Sequence, residues 1–539
     1  MSTSNHRFLN PVRGRRGMAV APHALAAQSA VAALRDGANA MEAMIAAAAT
    51  IAAVYPHMNG LGGDSFWLVS PPDGPAFGID ACGAAAASVS AAEYRAAGHK
   101  SIPFRGPLAA NTVAGTVSGW DTAYRISREH MGGKLPLSRL LDDAVFYARH
   151  GMPVTRSQSS ATAAKQAELA GVPGFAETYL ADGAAPEAGA LFRQPRLAQT
   201  LEQLARAGLD DFYRGDLATR IAADLRAAGS PVSSADLAAH RALVVEPLAL
   251  KHSLGTVYNM PPPTQGLVSL LILGQLDRLL KPGMDPLGAD FIHACVESTK
   301  QAFAIRDRVV TDPAYIKDDI QEWLAPGRLD ELAAGVSPSR AQPWGLGKGP
   351  ADTVWMGVVD RNGCAVSFIQ SLYHEFGSGI VLGETGINWQ NRGCSFSLDE
   401  RALNPLMPGR RPFHTLNPPV ARFADGRALV YGNMGGDGQP QSQSAVFSRI
   451  ARFGMNPQAA IDAPRWLLGR TWGNASDSLK LEDRFAPDVI ETLRARGHDV
   501  ELFPAYDEAM GHAGAILVAA DGSLEGGFDP RSDGGVAAW

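Results

Sequence analysis

Along the first half of the chain, apolar residues recur at helical spacing in stretches separated by short β-like runs. "PLSRLLDDAVFYARHG" and "PRLAQTLEQLARAG" predict helices that end at Gly151 and Gly208, since glycine suits the turn that closes a helix. "ALAAQSAVAALRDGANAMEAMIAAAATIAAV" predicts two small-residue helices broken at Gly37. Arg35, Asp36 and Glu42 interrupt it too often for a membrane span. "SSADLAAH" opens on a capping serine, and "ADFIHACVESTKQAFAIRDRVV" and "LVSLLILGQLDRLL" are further helices. Between helices, "NMPPPTQG" (259–266) fits neither helix nor central strand, because three successive prolines donate no amide. Residues 325–352, rich in Gly, Pro and Ala, predict a loop or linker. Beyond them the pattern shortens to strands: "TVWMGVVD", "CAVSFIQS", "RALVYGNMGG" and "AGAILVAAD", with a helical "APDVIETLRARG" among them. Helices followed by a strand-rich second half predict a layered α/β sandwich.

Composition narrows the class. The 539 residues are 46% hydrophobic and 19% charged, enough to bury a large core. Against 54 Asp and Glu stand 48 Lys and Arg, a formal charge of −6, with no basic stripe to suggest nucleic acid. Cys82, Cys295, Cys364 and Cys394 are scattered without C-x-x-C spacing, which predicts free thiols and a reducing compartment. The N-terminal "MSTSNHRFLNPVRGRRGMAVAPH" lacks the apolar run of a signal peptide, so a soluble cytoplasmic protein without membrane partners is expected.

The familiar motifs fail. "GLGGDSF" lacks the third glycine of a dinucleotide loop and follows a helix, and "GLGKGP" lacks the hydroxyl residue of a phosphate loop. There is no G-x-S-x-G elbow, and "HEFGS" does not complete H-E-x-x-H. What survives is a hairpin, "DTVWMGVVDRNGCAVSFIQS", turning at "DRNG". Pairing across that turn sets Thr353 opposite residues 370–372, where Ser371 stands. Taken alone, Thr353 reads as a packing residue, as most strand threonines are. As a nucleophile it needs a base, and the economical one is its own α-amine, which requires cleavage between Asp352 and Thr353.

Nearly the whole chain resembles the γ-glutamyltransferase (γ-glutamyltranspeptidase) family of self-processing N-terminal-nucleophile hydrolases. The likeness runs through "NGLGGDSFWLV", "NMPPPTQG", "DTVWMGVVDRNGCAV", "FGSGIVLGETGINWQNR", "RPFHTLNPP", "GNMGGDGQPQ", "AIDAPRW" and "DPRSDGG". The resemblance implies a four-layer αββα sandwich, cut before Thr353 into chains 1–352 and 353–539 that stay together as a heterodimer or a larger assembly of it. It implies Thr353 as nucleophile, Ser371 as the hydroxyl bonded to it, and the amides of Gly435 and Gly436 as the oxyanion hole. Without it, Gly435–Gly436 would read as a plain tight turn. No metal or organic cofactor is called for.

Departures from the family pattern bear on substrate. Cys82 stands where the family's carboxylate-binding arginine belongs, and Arg392 and Ser395 where a glutamine and an aspartate hold the α-amino group. His414 and Thr415 replace paired serines, and Tyr373 replaces an asparagine. The pattern resembles most the oxamate amidohydrolase branch, from purine degradation, which implies a small carboxylated amide held by Arg392 with Tyr373, His414 and Thr415. The competing expectations for Arg392 and His414 are a structural ion pair and a wall residue. Alternative functions are γ-glutamyl transfer or glutathione hydrolysis, a cephalosporin- or glutaryl-acylase-like amidase, and an uncleaved binding protein. "SLYHEFGSG" (371–379) is the candidate lid.

Overall fold

The computed structural model describes residues 10–345, 352–470 and 476–539. Two seven-stranded antiparallel sheets face each other. One runs, edge to edge, Gly535–Ala538, Gly17–Ala21, Asp352–Asp360, Ala365–Tyr373, Asp64–Ser70, Phe77–Ala81 and Leu243–Val245. The other runs Val12–Gly14, Leu524–Phe528, Ala513–Val518, Ala428–Asn433, Val420–Phe423, Gly255–Asn259 and Leu248–His252. Helices Ala24–Arg35 and Ala40–Val54 pack on the outer face of the first sheet, and Gly266–Leu279, Ala289–Val309 and Gly438–Ala451 on that of the second. This is the αββα sandwich expected from the sequence.

Strand alternation explains the layers. From Asp352–Asp360, residues Val354, Met356 and Val358 join the helix-side core, while Trp355 and Val359 join Phe66, Ile369, Val430 and Ile516 between the sheets. By the same parity, Thr353 faces the gap between the sheets. Trp355 fills that gap closely. A Cβ on Gly432 would lie 2.1 Å from its indole, and one on Gly514 2.4 Å, so the facing sheet offers a glycine floor. The indole Nε1 donates to Ser367 Oγ at 2.9 Å.

The hairpin turn is held by Asp360. Its carboxylate accepts from the amides of Asn362 and Cys364 on one oxygen and from Ala40, the first residue of a helix, on the other. At this turn Gly363 takes a positive φ of 83°. The helices on either side of Gly37 and those ending at Gly151 and Gly208 form as expected. The linker begins later than composition suggested, because Pro326–Ala334 is a helix. Pro326 starts it without losing a bond, and Leu329 and Ala333 are buried, Leu329 over Gly274. Within the predicted linker, residues 346–351 lie outside the described residues. No described helix is long and apolar enough to cross a membrane.

The glycine floor can be tested by stability. Gly432→Ala is expected to cost ~1–3 kcal/mol through overpacking. The midpoint of urea unfolding should fall, and an unchanged midpoint would show that the indole moves aside freely.

Candidate active site

The strands Asp352–Asp360 and Ala365–Tyr373 pair regularly until their open end, where Val354 faces Gln370 but Asp352 faces Tyr373. Thr353 therefore stands against two residues, Ser371 and Leu372. Such a bulge re-aims side chains locally. It leaves Thr353 Oγ1 3.5 Å from Ser371 Oγ, and Ser371 Oγ accepts the Tyr373 amide at 2.8 Å. Thr353 is fully buried. Tyr373 takes a φ of 86°, a strained value for an aromatic residue.

Over the Tyr373 ring, 3.7 Å from its centroid, lies the guanidinium of Arg392, from the short turn Arg392–Ser395. Arg392 is 1% exposed; its Nη1 donates to Phe413 O at 3.3 Å, and its Nη2 has no hydrogen-bond partner among the described residues. Burial lowers its pKa, the direction expected when a charge loses water.

His414 and Thr415 are also buried. The proline loop braces them, because Pro263 O accepts the His414 amide and His414 O accepts the Gln265 amide, both at 2.9 Å. Gln265 goes further: its Nε2 donates to Thr415 O at 3.0 Å and to Gly436 O at 2.9 Å, while its Oε1 accepts from Arg306. One side chain thus fixes the distance between the "HT" segment and the glycine pair. Gly435 and Gly436 take φ values of 120° and 53°, which few other residues adopt. Among the described residues neither amide donates a hydrogen bond.

Sequence reasoning missed Gln265 and Asp64. Asp64 lies across the sheet from Ser371 and is 1% exposed. Its Oδ1 accepts the amides of Gly83 and Gly115, and its Oδ2 lies 3.2 Å from His414 Nε2. Burial pushes the Asp64 carboxyl up to about 7, against the opposing pull of those amides, Arg392 and Gln390. Burial with the nearby Arg392 pushes His414 well down, so the imidazole is neutral. The rejected "GLGGDSF" loop gains a different explanation. A Cβ on Gly63 would strike Ser371 O at 2.1 Å and one on Gly62 would strike Asn388 O at 2.1 Å, so these glycines let backbones meet. Cys82 lies beside Asp64 as a thiol, its pKa raised by burial and by the carboxylates of Asp64 and Asp80.

Two buried groups, Asp64–Cys82–His414 and His293–Glu297–His498, bring polar atoms within 4.8 Å of one another, a spacing that could also suit a metal. In the second, protein partners use the atoms: the two imidazoles meet at 2.8 Å and Glu297 holds Lys300 at 2.7 Å. In the first, Asp64 and His414 face each other. An open groove of about 640 Å³, lined by Pro71, Phe77, Met131 and Asp360, lies at the far end of the hairpin from Thr353. Seven residue steps separate Thr353 from Asp360, ~23 Å at ordinary strand rise. The candidate lid is a packed wall, with Phe376 fully buried against Phe175 and Tyr179.

The sequence profile of the gamma-glutamyltranspeptidase family matches residues 26–539. The chain belongs to that family. It is 59% identical to the oxamate amidohydrolase proenzyme of Klebsiella pneumoniae, over 97% of this chain and 98% of that protein. It is 40% identical to the glutathione hydrolase-like YwrD proenzyme of Bacillus subtilis, over 97% and 98%. The crystal structure of cephalosporin acylase from Bacillus halodurans superposes with a TM-score of 0.90 at 32% identity, covering 100% of this chain and 98% of that one. Like these relatives, the chain is an enzyme, an amidohydrolase of the gamma-glutamyltranspeptidase family.

If the Ser371 hydroxyl supports the Thr353 oxygen, Ser371→Ala should slow amide hydrolysis by about fivefold, the worth of one neutral hydrogen bond. An unchanged rate in the folded variant would leave Ser371 a packing residue.

Proposed function

We propose that this chain is a self-processing amidohydrolase that cuts itself between Asp352 and Thr353 and then hydrolyses oxamate, or a similar small carboxylated amide, to the acid and ammonia. The observation that carries the substrate class is Arg392, buried beside the Thr353–Ser371 end of the hairpin with one guanidinium nitrogen unsatisfied. A desolvated guanidinium without a full set of acceptors is a site for a carboxylate or paired carbonyls. The similarity to an oxamate amidohydrolase proenzyme supports the same substrate.

In the precursor, the Thr353 hydroxyl attacks the Asp352 carbonyl carbon, the peptide becomes an ester, and water releases chain 1–352 from the new N-terminus of chain 353–539. The two chains remain interleaved, because Asp352–Asp360 lies in the sheet between Gly17–Ala21 and Ala365–Tyr373. The freed α-amine is then the base. It takes the proton of Thr353 Oγ1 as that oxygen attacks the substrate carbonyl, while Arg392 holds the neighbouring carboxylate. The amides of Gly435 and Gly436 receive the oxyanion. Collapse breaks the C–N bond as the ammonium returns its proton to the amide nitrogen, which leaves as ammonia. Water, deprotonated by the same amine, hydrolyses the acyl ester and restores the threonine. Tyr373, His414 and Thr415 wall the acyl site, and Cys82 offers no cation to hold a γ-glutamyl carboxylate.

A denaturing intact-mass spectrum should show two species dividing at Asp352–Thr353, and Thr353→Ala should remain a single 56.8 kDa chain. The processed enzyme should release ammonia from oxamate and little chromophore from a γ-glutamyl anilide. Arg392→Gln should raise KM for oxamate by about 10- to 100-fold, the loss of a charged hydrogen bond. Rapid γ-glutamyl turnover without oxamate turnover would overturn the assignment, and a chain that never divides would remove its base.

A further inference from the structure

Asp64 is held so that it can offer His414 only one of its oxygens. Oδ1 is committed to two backbone donors, the Gly83 amide at 3.0 Å and the Gly115 amide at 2.9 Å. Oδ2 is left 3.2 Å from His414 Nε2, close but without hydrogen-bond geometry, and neither atom has a hydrogen-bond partner among the described residues. An ionised carboxylate at that distance repels a ring lone pair and favours a ring N–H, so the approach favours the imidazole hydrogen on Nε2. In a neutral ring Nδ1 is then a bare lone pair. It is buried, and no N–H or O–H answers it among the described residues. An acceptor buried in that state costs about 1–3 kcal/mol unless a ligand supplies a donor.

We propose that Asp64 is a positioning residue that fixes the tautomer of His414, so that the pocket reads a primary amide N–H through His414 Nδ1 beside the carboxylate held by Arg392. The proposal rests on the carboxylated-amide function above and deepens it. Arg392 Nη2 offers a donor and His414 Nδ1 an acceptor, the complement of a carboxylate next to an –NH2 group. The product has two carboxylates and no N–H. One of its oxygens would face the lone pair of Nδ1, so the same device that favours the substrate amide expels the hydrolysed acid. Cys82, Tyr213 and Arg392 are the other titratable groups that sense the Asp64 charge. Because burial raises Asp64 to about 7, the ionised state is studied well above that pH.

Asp64→Asn makes the test specific. The two backbone amides demand an oxygen, so the carboxamide introduced by this substitution must turn its nitrogen toward His414 Nε2. That forces the hydrogen onto Nδ1 and converts an acceptor into a donor. In the processed wild-type enzyme, long-range ¹H–¹⁵N spectra of ¹⁵N-histidine-labelled protein should show His414, assigned by its loss in His414→Gln, protonated at Nε2. In Asp64→Asn it should be protonated at Nδ1. The ratio of KM for oxamate to the inhibition constant of oxalate should rise by about tenfold or more, because one donor–acceptor match is lost and another gained. Loss of structure would weaken both ligands, and loss of negative charge alone would tighten both. Either of those results, or an Nδ1–H tautomer in the wild type, overturns the proposal. Absence of oxamate turnover with the Nε2–H tautomer in place would instead sink the assigned substrate.

Discussion

Trp355 sets the distance between the two sheets, and the site depends on that distance. Its indole lies on backbone at Gly432 and Gly514 and is pinned by Ser367, so the sheets approach as closely as glycine permits. Two residues earlier on the same strand face, Thr353 enters the same gap. The strand of Gly432 runs on toward Gly435 and Gly436, whose amides donate no hydrogen bond among the described residues. A larger side chain at Gly432 would press directly on the Trp355 indole and strain the seam between the sheets.

Around that seam, polar atoms are buried without partners to an extent that packing alone does not favour. Arg392 Nη2, His414 Nδ1 and Thr415 Oγ1 have no hydrogen-bond partner among the described residues. Each costs free energy in the empty site. The surrounding structure holds them regardless: the Pro263 carbonyl accepts the His414 amide, and Gln265 ties Thr415 to Gly436. Tyr373 keeps a strained backbone while its ring supports the guanidinium. Strain and unsatisfied polarity concentrated in one place mark a surface built for a ligand.

Much of this could be read from the chain. Helix ends at glycine, the turn at "DRNG" and the alternation in "TVWMGVVD" are local matters of propensity and period, and they formed as expected. Composition misjudged residues 325–352, because a helix of nine residues, Pro326–Ala334, is stabilised by burying Leu329 over Gly274, a contact 55 residues away in sequence. "GLGGDSF" was legible as a glycine-rich segment but not as a place where three backbones cross.

What the sequence determined by itself was the layering and the hairpin that carries Thr353 and Ser371, since these follow from side-chain periodicity and turn chemistry; the other candidate site residues came from the resemblance to the gamma-glutamyltranspeptidase family. Tertiary structure alone decided which of them meet. The hairpin already set Thr353 near Ser371, but the bulge that re-aims them, the ring beneath Arg392 and, across 350 residues, the carboxylate facing His414 arise only in the folded chain. Hydrogen bonds and ring contacts of that kind depend on ångström-scale distances between distant segments, and no local pattern encodes those distances.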